Sequence, residues 1–226
     1  MDKAKYFESA GNLLLEKKDW KNAKSMFQNA LLLEESCWFK PYYGLAESLE
    51  KLGDIDEAIA NYRKSIEIKP DFAWNYYRLS SIFSHQDALD DALSNIERAI
   101  ELHPYEKSFS LYLALGDILL RKGKLEAAES AYLEAENIYP DSLQSKGRLS
   151  CLYAKLNDRE RQELYLQQAI DKASDQCQAY ILLGDAFWRG GLAEKSIEFY
   201  QKGVALDVDN SLNAKKRLEQ AKDKSL

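Results

Sequence analysis

Histidine occurs twice in these 226 residues, cysteine three times and proline four times. Each scarcity excludes something. Cys37, Cys151 and Cys177 are odd in number, widely spaced and form no Cys-x-x-Cys pair, so neither a disulfide framework nor a zinc site is expected. With only His85 and His103 to add, no metal and no cofactor is expected, and the thiols read as reduced. The ten glycines build no phosphate-cradling loop and no nucleophile elbow, and there is no His-Glu-x-x-His. Carboxylate pairs such as Glu34-Glu35 and Asp90-Asp91 suit solvated faces and helix starts. The chain is therefore expected not to be an enzyme. Cations are in the minority: 31 Lys and Arg stand against 37 Asp and Glu, a net charge of −6, so no nucleic-acid partner is expected. No apolar run approaches the ~18 residues of a membrane span, and Met1 to Phe7 lacks the apolar block of a secretory signal. The expected location is the cytoplasm, with no membrane partner.

What is present is a period. An apolar residue followed by a small one recurs at Ala10-Gly11, Leu45-Ala46, Leu79-Ser80, Leu115-Gly116, Leu149-Ser150 and Leu183-Gly184. The second members are 35, 34, 36, 34 and 34 residues apart. Twelve residues later come Ala23, Ala58, Ala92, Ala128, Gln162 and Ser196, and four beyond these Phe27, Tyr62, Ile96, Tyr132, Leu166 and Tyr200. Pro70, Pro104 and Pro140 close three of the units. Within a unit the apolar positions recur at helical spacing twice, with a glycine break between, as at Gly53-Asp54, Lys122-Gly123-Lys124 and Gly190-Gly191. Each unit thus reads as two antiparallel helices, and a fixed period of this length signals a stacked array.

These residues resemble the tetratricopeptide repeat, in which an aromatic, Leu-Gly, a second aromatic, then Ala, aromatic and Pro stand at fixed offsets. Tyr112 to Gly116 and Tyr180 to Gly184 carry its first half; Asp56 to Ile59, Tyr62 and Pro70 carry its second. The resemblance implies an all-α, right-handed α-α superhelix (a solenoid). It would hold six helix-turn-helix repeats at approximately 4–37, 39–72, 73–106, 109–142, 143–176 and 177–210, forming one array over 1–226. A capping helix is expected over 211–223, with Leu212, Leu218 and Ala221 covering the last apolar face and Lys215, Lys216, Arg217, Glu219 and Lys222 facing water. The fifth repeat departs most: Lys146 replaces an aromatic, Gln162 a small residue and Lys172 an apolar one, so a weaker joint is expected there.

In the family the first helix of each pair lines an inner groove that takes a peptide or a partner's helix. The resemblance therefore implies a protein-interaction scaffold whose groove carries Tyr43, Trp74, Tyr77, Arg78, Ser81 and His85, then Asp117, Arg121, Arg148, Trp188 and Arg189. Tyr43, Trp74, Tyr77 and Arg78 are the types that dominate binding hot spots. Lys51, His85, Arg121, Lys155 and Arg189 recur at the ends of first helices, where the family commonly places lysine. The carboxylate grip of chaperone-binding members needs lysine, asparagine and arginine on three successive units. Only Asn12 and Arg78 match, so that grip is not expected. Two rival readings are a docking or regulatory region of a larger enzyme, such as a glycosyltransferase or methyltransferase, suggested by Pro70 to Trp74, and self-association through array ends or faces.

Overall fold

The computed structural model describes residues 3–33, 38–103, 108–207 and 213–223. Cys37, Glu34, Glu35, Pro104 and Leu212 lie outside them. Among the described residues there are thirteen α-helices and no strand. Six consecutive pairs run α1 (Lys3–Glu16) with α2 (Trp20–Leu33), α3 (Phe39–Leu52) with α4 (Ile55–Ile68), and α5 (Ala73–His85) with α6 (Leu89–Glu101). They continue with α7 (Phe109–Arg121) and α8 (Leu125–Ile138), α9 (Leu143–Lys155) and α10 (Arg159–Asp171), α11 (Gln176–Arg189) and α12 (Ala193–Leu206); α13 (Ala214–Asp223) follows. The helices gather into two compact units, Met1–Tyr105 and Glu106–Leu226.

The turn inside every pair holds one residue with a left-handed backbone: Lys18, Gly53, Asp87, Gly123, Asn157 and Gly191. That conformation lets the chain reverse within a few residues, and glycine takes it without the side-chain clash that other residues meet. The small residues of the second helices, Ala23, Ala58, Ala92, Ala128 and Ser196, are fully buried, as are Phe27, Tyr62, Ile96 and Tyr132. They bring the paired backbones together, and the rings fill the space beside them. A Cβ on Gly116 would lie 2.3 Å from the Tyr132 ring, and one on Gly184 would lie 2.5 Å from Tyr200. The small residue of the first helix is thus set by the ring that covers it.

In pairs two, three, five and six one face of the first helix meets the pair before it. Five residues ahead of the small residue stand Pro41, Asn75, Leu111, Ser145 and Ala179; two residues after it stand Ser48, Ile82, Ile118, Leu152 and Ala186. All ten are buried. Asn75 donates to Ser65 Oγ on α4 at 2.8 Å, and Ser145 donates to Glu136 on α8.

Pair five is built unlike the others. Its first helix is deeply buried, whereas α10 buries only Ala169 and leaves Leu164 52% exposed. Lys146 is not left as a gap: its ammonium is buried and bonds Glu136 and the Pro140 carbonyl of the preceding pair. The irregularity therefore falls on the second helix. Stability in stacked arrays is a sum of local and neighbour terms. Residues 143–176 are accordingly expected to exchange amide hydrogens faster than 109–142, mainly over α10. Native-state exchange read by mass spectrometry checks this, and equal protection in the two segments would contradict it.

Candidate functional site

Tyr43 on α3 packs its ring 5.7 Å from Tyr62 and 5.2 Å from Phe72, and its hydroxyl accepts from Arg78 Nε on α5 at 3.4 Å. The Arg78 guanidinium also donates to Glu47 and lies 3.9 Å from Glu50. Glu50 in turn accepts from the buried Tyr62 hydroxyl at 2.8 Å. Arg78 thus bridges α3 and α5, with its side chain only 24% exposed. Trp74 and Tyr77, one helical turn apart on α5, form an edge-to-face pair with ring centres 5.6 Å apart, both half-buried. Trp74 also meets His103 at 5.9 Å. Further along α5, Ser81 is half-buried and its carbonyl accepts from Nδ1 of the exposed His85 at 2.7 Å.

In the second unit Asp117 on α7 plays the part of Glu47 and Glu50. It accepts from Tyr132 at 2.8 Å and from Arg148 Nε and Nη2 at 2.8 and 3.1 Å. Arg189 of α11 comes within 3.8 Å of it from two pairs away, so the first helices of this unit converge on that side. Arg189 keeps a 57% exposed side chain, Arg121 is exposed, and Trp188 is half-buried. The same bracket recurs once more. Tyr200 donates to Asp185 at 2.7 Å, and Arg217 of α13 donates to it at 2.6 Å.

The pattern is therefore Tyr, carboxylate, Arg in pairs two, four and six, with the arginine on the first helix of the next pair or on α13. Burial, reinforced by the adjacent carboxylate, pushes all three phenols above the usual tyrosine value, so they stay donors at physiological pH. Burial works against the charge of Arg148, but Asp117 together with Tyr132 and Asp185 outweighs it and raises its pKa. Sequence reasoning missed these brackets. Their only linear trace is an arginine 31 or 32 residues after a carboxylate: Glu47 to Arg78, Asp117 to Arg148, Asp185 to Arg217. It also placed Arg217 in water. Arg217 is instead half-buried, because α13 turns it onto Asp185, while Ala214 and Ala221 are buried and Leu218 is half-buried.

The structure thus joins Tyr43 with Arg78, Trp74 with Tyr77, and Asp117 with Arg148 and Arg189. Beside Gln162, which accepts from Lys195 at 3.3 Å, lies an open cleft of about 430 Å³ bordered by Asn157, Arg159 and Glu163. Among the described residues no group of His, Cys, Asp and Glu is placed to hold a metal ion. Cys151 and Cys177 are buried and unbridged, and burial pushes the Cys151 thiol up to about 12, which leaves it unreactive. No described helix is long and apolar enough to cross a membrane.

Paired helices closed by small-residue and aromatic contacts define a helical-repeat architecture. The tetratricopeptide repeat profile matches residues 39–72, and a second tetratricopeptide repeat profile matches 83–142 and 148–210. These cover more than half of the chain, which belongs to the tetratricopeptide repeat family. Among solved structures it is similar to PilF of Pseudomonas aeruginosa (13% identity over 99% of this chain and 98% of that one, TM-score 0.72). It is also similar to MamA, residues 41 to the end, from Desulfovibrio magneticus RS-1 (19%, 76% and 96%, TM-score 0.68). A third is YrrB, described as a tetratricopeptide repeat protein with an unusual peptide-binding site (23%, 76% and 88%, TM-score 0.63). At these identities the likeness is one of fold. The comparison with curated protein sequences found no match. Repeats of this family generally serve as non-catalytic scaffolds for protein–protein interaction.

Proposed function

We propose that this chain binds a peptide or protein segment against the inner faces of its first helices, with Trp74 and Tyr77 as the principal contacts. The observation that carries this reading is the half-buried edge-to-face pair these two rings make on α5. Tyr and Trp offer large apolar area with few rotors to freeze, which is why they concentrate in hot spots. Beside them, Tyr43 and Arg78 hold the surface in shape through the bracket to Glu47; in the second unit, taken by itself, the first helices carry Trp188, Arg189 and Arg121. The peptide-binding site in YrrB's description supports the reading by analogy of fold. The unbridged thiols fit a reducing compartment such as the cytoplasm.

The test is affinity capture from lysate with the wild-type chain and with Trp74→Ala, partners being identified by mass spectrometry. A true groove partner is expected to lose about 2 kcal/mol or more of binding, roughly thirtyfold, on Trp74→Ala. Helix content and melting temperature should not change. Arg78→Ala is expected to weaken binding and stability together, because it also strands Glu47. A partner held equally by Trp74→Ala would place the binding surface elsewhere.

A further inference from the structure

The charges of the second unit are sorted between its two sets of helices. The first helices α7, α9 and α11 carry the cations Arg121, Lys146, Arg148, Lys155 and Arg189 against two carboxylates, Asp117 and Asp185. The second helices α8, α10 and α12 carry nine Asp and Glu against four Lys and Arg. The first helices of the other unit show no such excess, with five cations against four carboxylates. Both carboxylates on α7 and α11 are engaged, Asp117 by Arg148 and Asp185 by Arg217, and Lys146 is taken by Glu136. What remains is Arg121, Lys155 and Arg189, each five residues after the small residue of its helix. Arg121 stands four residues after Asp117, Lys155 seven after Arg148 and Arg189 four after Asp185. All three therefore share the face on which the brackets lie. Arg121 and Arg189 are exposed and Lys155 is half-buried. Among the described residues Lys155 has no carboxylate within ion-pair distance, and Arg189 has only Asp117, at 3.8 Å. Glu126, Glu160 and Glu194, which open the second helices at the same end, are exposed and make no ion pair with either.

We propose that Arg121, Lys155 and Arg189 form a recognition row for an acidic protein segment, engaged through its internal carboxylates and not through a free C-terminus. The proposal rests on the first helices being the binding face, as above, and names the partner chemistry that suits the second unit. Packed helices stand about 8–10 Å apart. At the α9–α11 contact small residues hold that distance short: a Cβ on Gly147 would lie 3.3 Å from the Ala186 Cβ, and one on Gly190 2.2 Å from the Cys151 Sγ. The two steps from α7 to α11 thus cover about 16–20 Å. Six residues of polyproline II span about 19 Å, and every third side chain points the same way. A segment with Asp or Glu at every third position therefore sets one carboxylate against each cation, and the two arginines offer forked donors that match it. A nucleic acid spreads its charge over a wider body, which the carboxylates of the flanking second helices repel. A narrow acidic strand is the better fit to a single row.

The probe is a fluorescein-labelled, C-terminally amidated peptide of four Glu-Pro-Pro repeats, titrated with the full chain by fluorescence anisotropy. The same peptide with Gln for every Glu, and a single-stranded oligothymidylate of equal charge, are the comparisons. In about 50 mM salt a Kd on the order of 100 μM is expected for the Glu peptide, weakening as added salt screens the row. Lys155→Gln and Arg189→Gln should each weaken it about threefold, and the two together with Arg121→Gln about thirtyfold, as for exposed ion pairs. Lys202→Gln, the same charge change on α12, should leave binding as it was, and so should Trp74→Ala. Because Lys155 holds no carboxylate, Lys155→Gln is expected to keep the circular dichroism and melting temperature of the wild type. A chain that leaves the Glu peptide unbound, or binds the Gln peptide or the oligonucleotide as tightly, overturns the proposal. So does binding untouched by the three row substitutions, or weakened equally by Lys202→Gln or Trp74→Ala. A probe held by the row when lysate capture yields no Trp74-dependent partner supports this inference and overturns the Trp74 site alone; the reverse pair of results overturns only the row.

Discussion

Asp117→Ala is expected to lower the local stability of α7 to α10 by about 3 kcal/mol, the low end for breaking a buried ion pair by removing one partner. The reason lies in what remains. Arg148, with a side chain 13% exposed, loses both hydrogen bonds to the carboxylate, and the fully buried Tyr132 keeps a hydroxyl with no acceptor. An uncompensated buried charge and an orphaned phenol each cost more than an exposed pair contributes. Asp117→Asn keeps an acceptor for Tyr132 and is expected to lose less. Native-state hydrogen exchange of α7 to α10 measures both. A loss below about 1 kcal/mol, the ceiling for exposed pairs, would show that solvent screens the bracket.

Phe27→Ala is expected to cost about 3–5 kcal/mol, as for a fully buried phenylalanine. This ring does more than fill its own pair. A Cβ built on Gly11 would lie 2.7 Å from it and one on Gly44 only 2.3 Å, so the ring is clasped between α1 and α3. It is one of the contacts between pair one and pair two, beside the Lys24–Asp54 ion pair at 3.1 Å. Gly44→Ala should therefore destabilise by about 1–3 kcal/mol through overpacking. Combining it with Phe27→Leu, which withdraws ring atoms from the clash, should cost less than the sum of the two single changes. Urea denaturation of the four proteins closes the cycle. Strict additivity would mean that α3 shifts to admit the methyl group and that the clasp is loose.

The helices were legible in the sequence because their causes are local and repeated. The helix expected over 211–223 is observed as Ala214–Asp223, and Asn213 just before it has a left-handed backbone and stands outside the helix. A small residue, a ring sixteen later and a left-handed turn between them act within one pair, so each copy states the rule again. The inner-face residues were legible only as a set of positions. Tyr43, Trp74, Tyr77 and Arg78 read alike in the chain, yet the structure gives Tyr43 and Arg78 to a bracket between pairs and leaves Trp74 and Tyr77 as a half-buried edge-to-face pair.

That division follows from distance along the chain. The period by itself determined an all-α stack of helical pairs and the residues that close each one. Which carboxylate meets which arginine depended on contacts made about 31 residues apart, and no local preference encodes these. Only packing decided that Lys146, on sequence a misfit, would be buried against Glu136, or that a half-buried Arg217 would bond Asp185. Tyr6 and Leu13 show the same limit from the other side. Their spacing is that of residues buried in every later pair, yet in α1 they stand half exposed. Burial belongs to the neighbour as much as to the residue, and the neighbour is set by the tertiary structure.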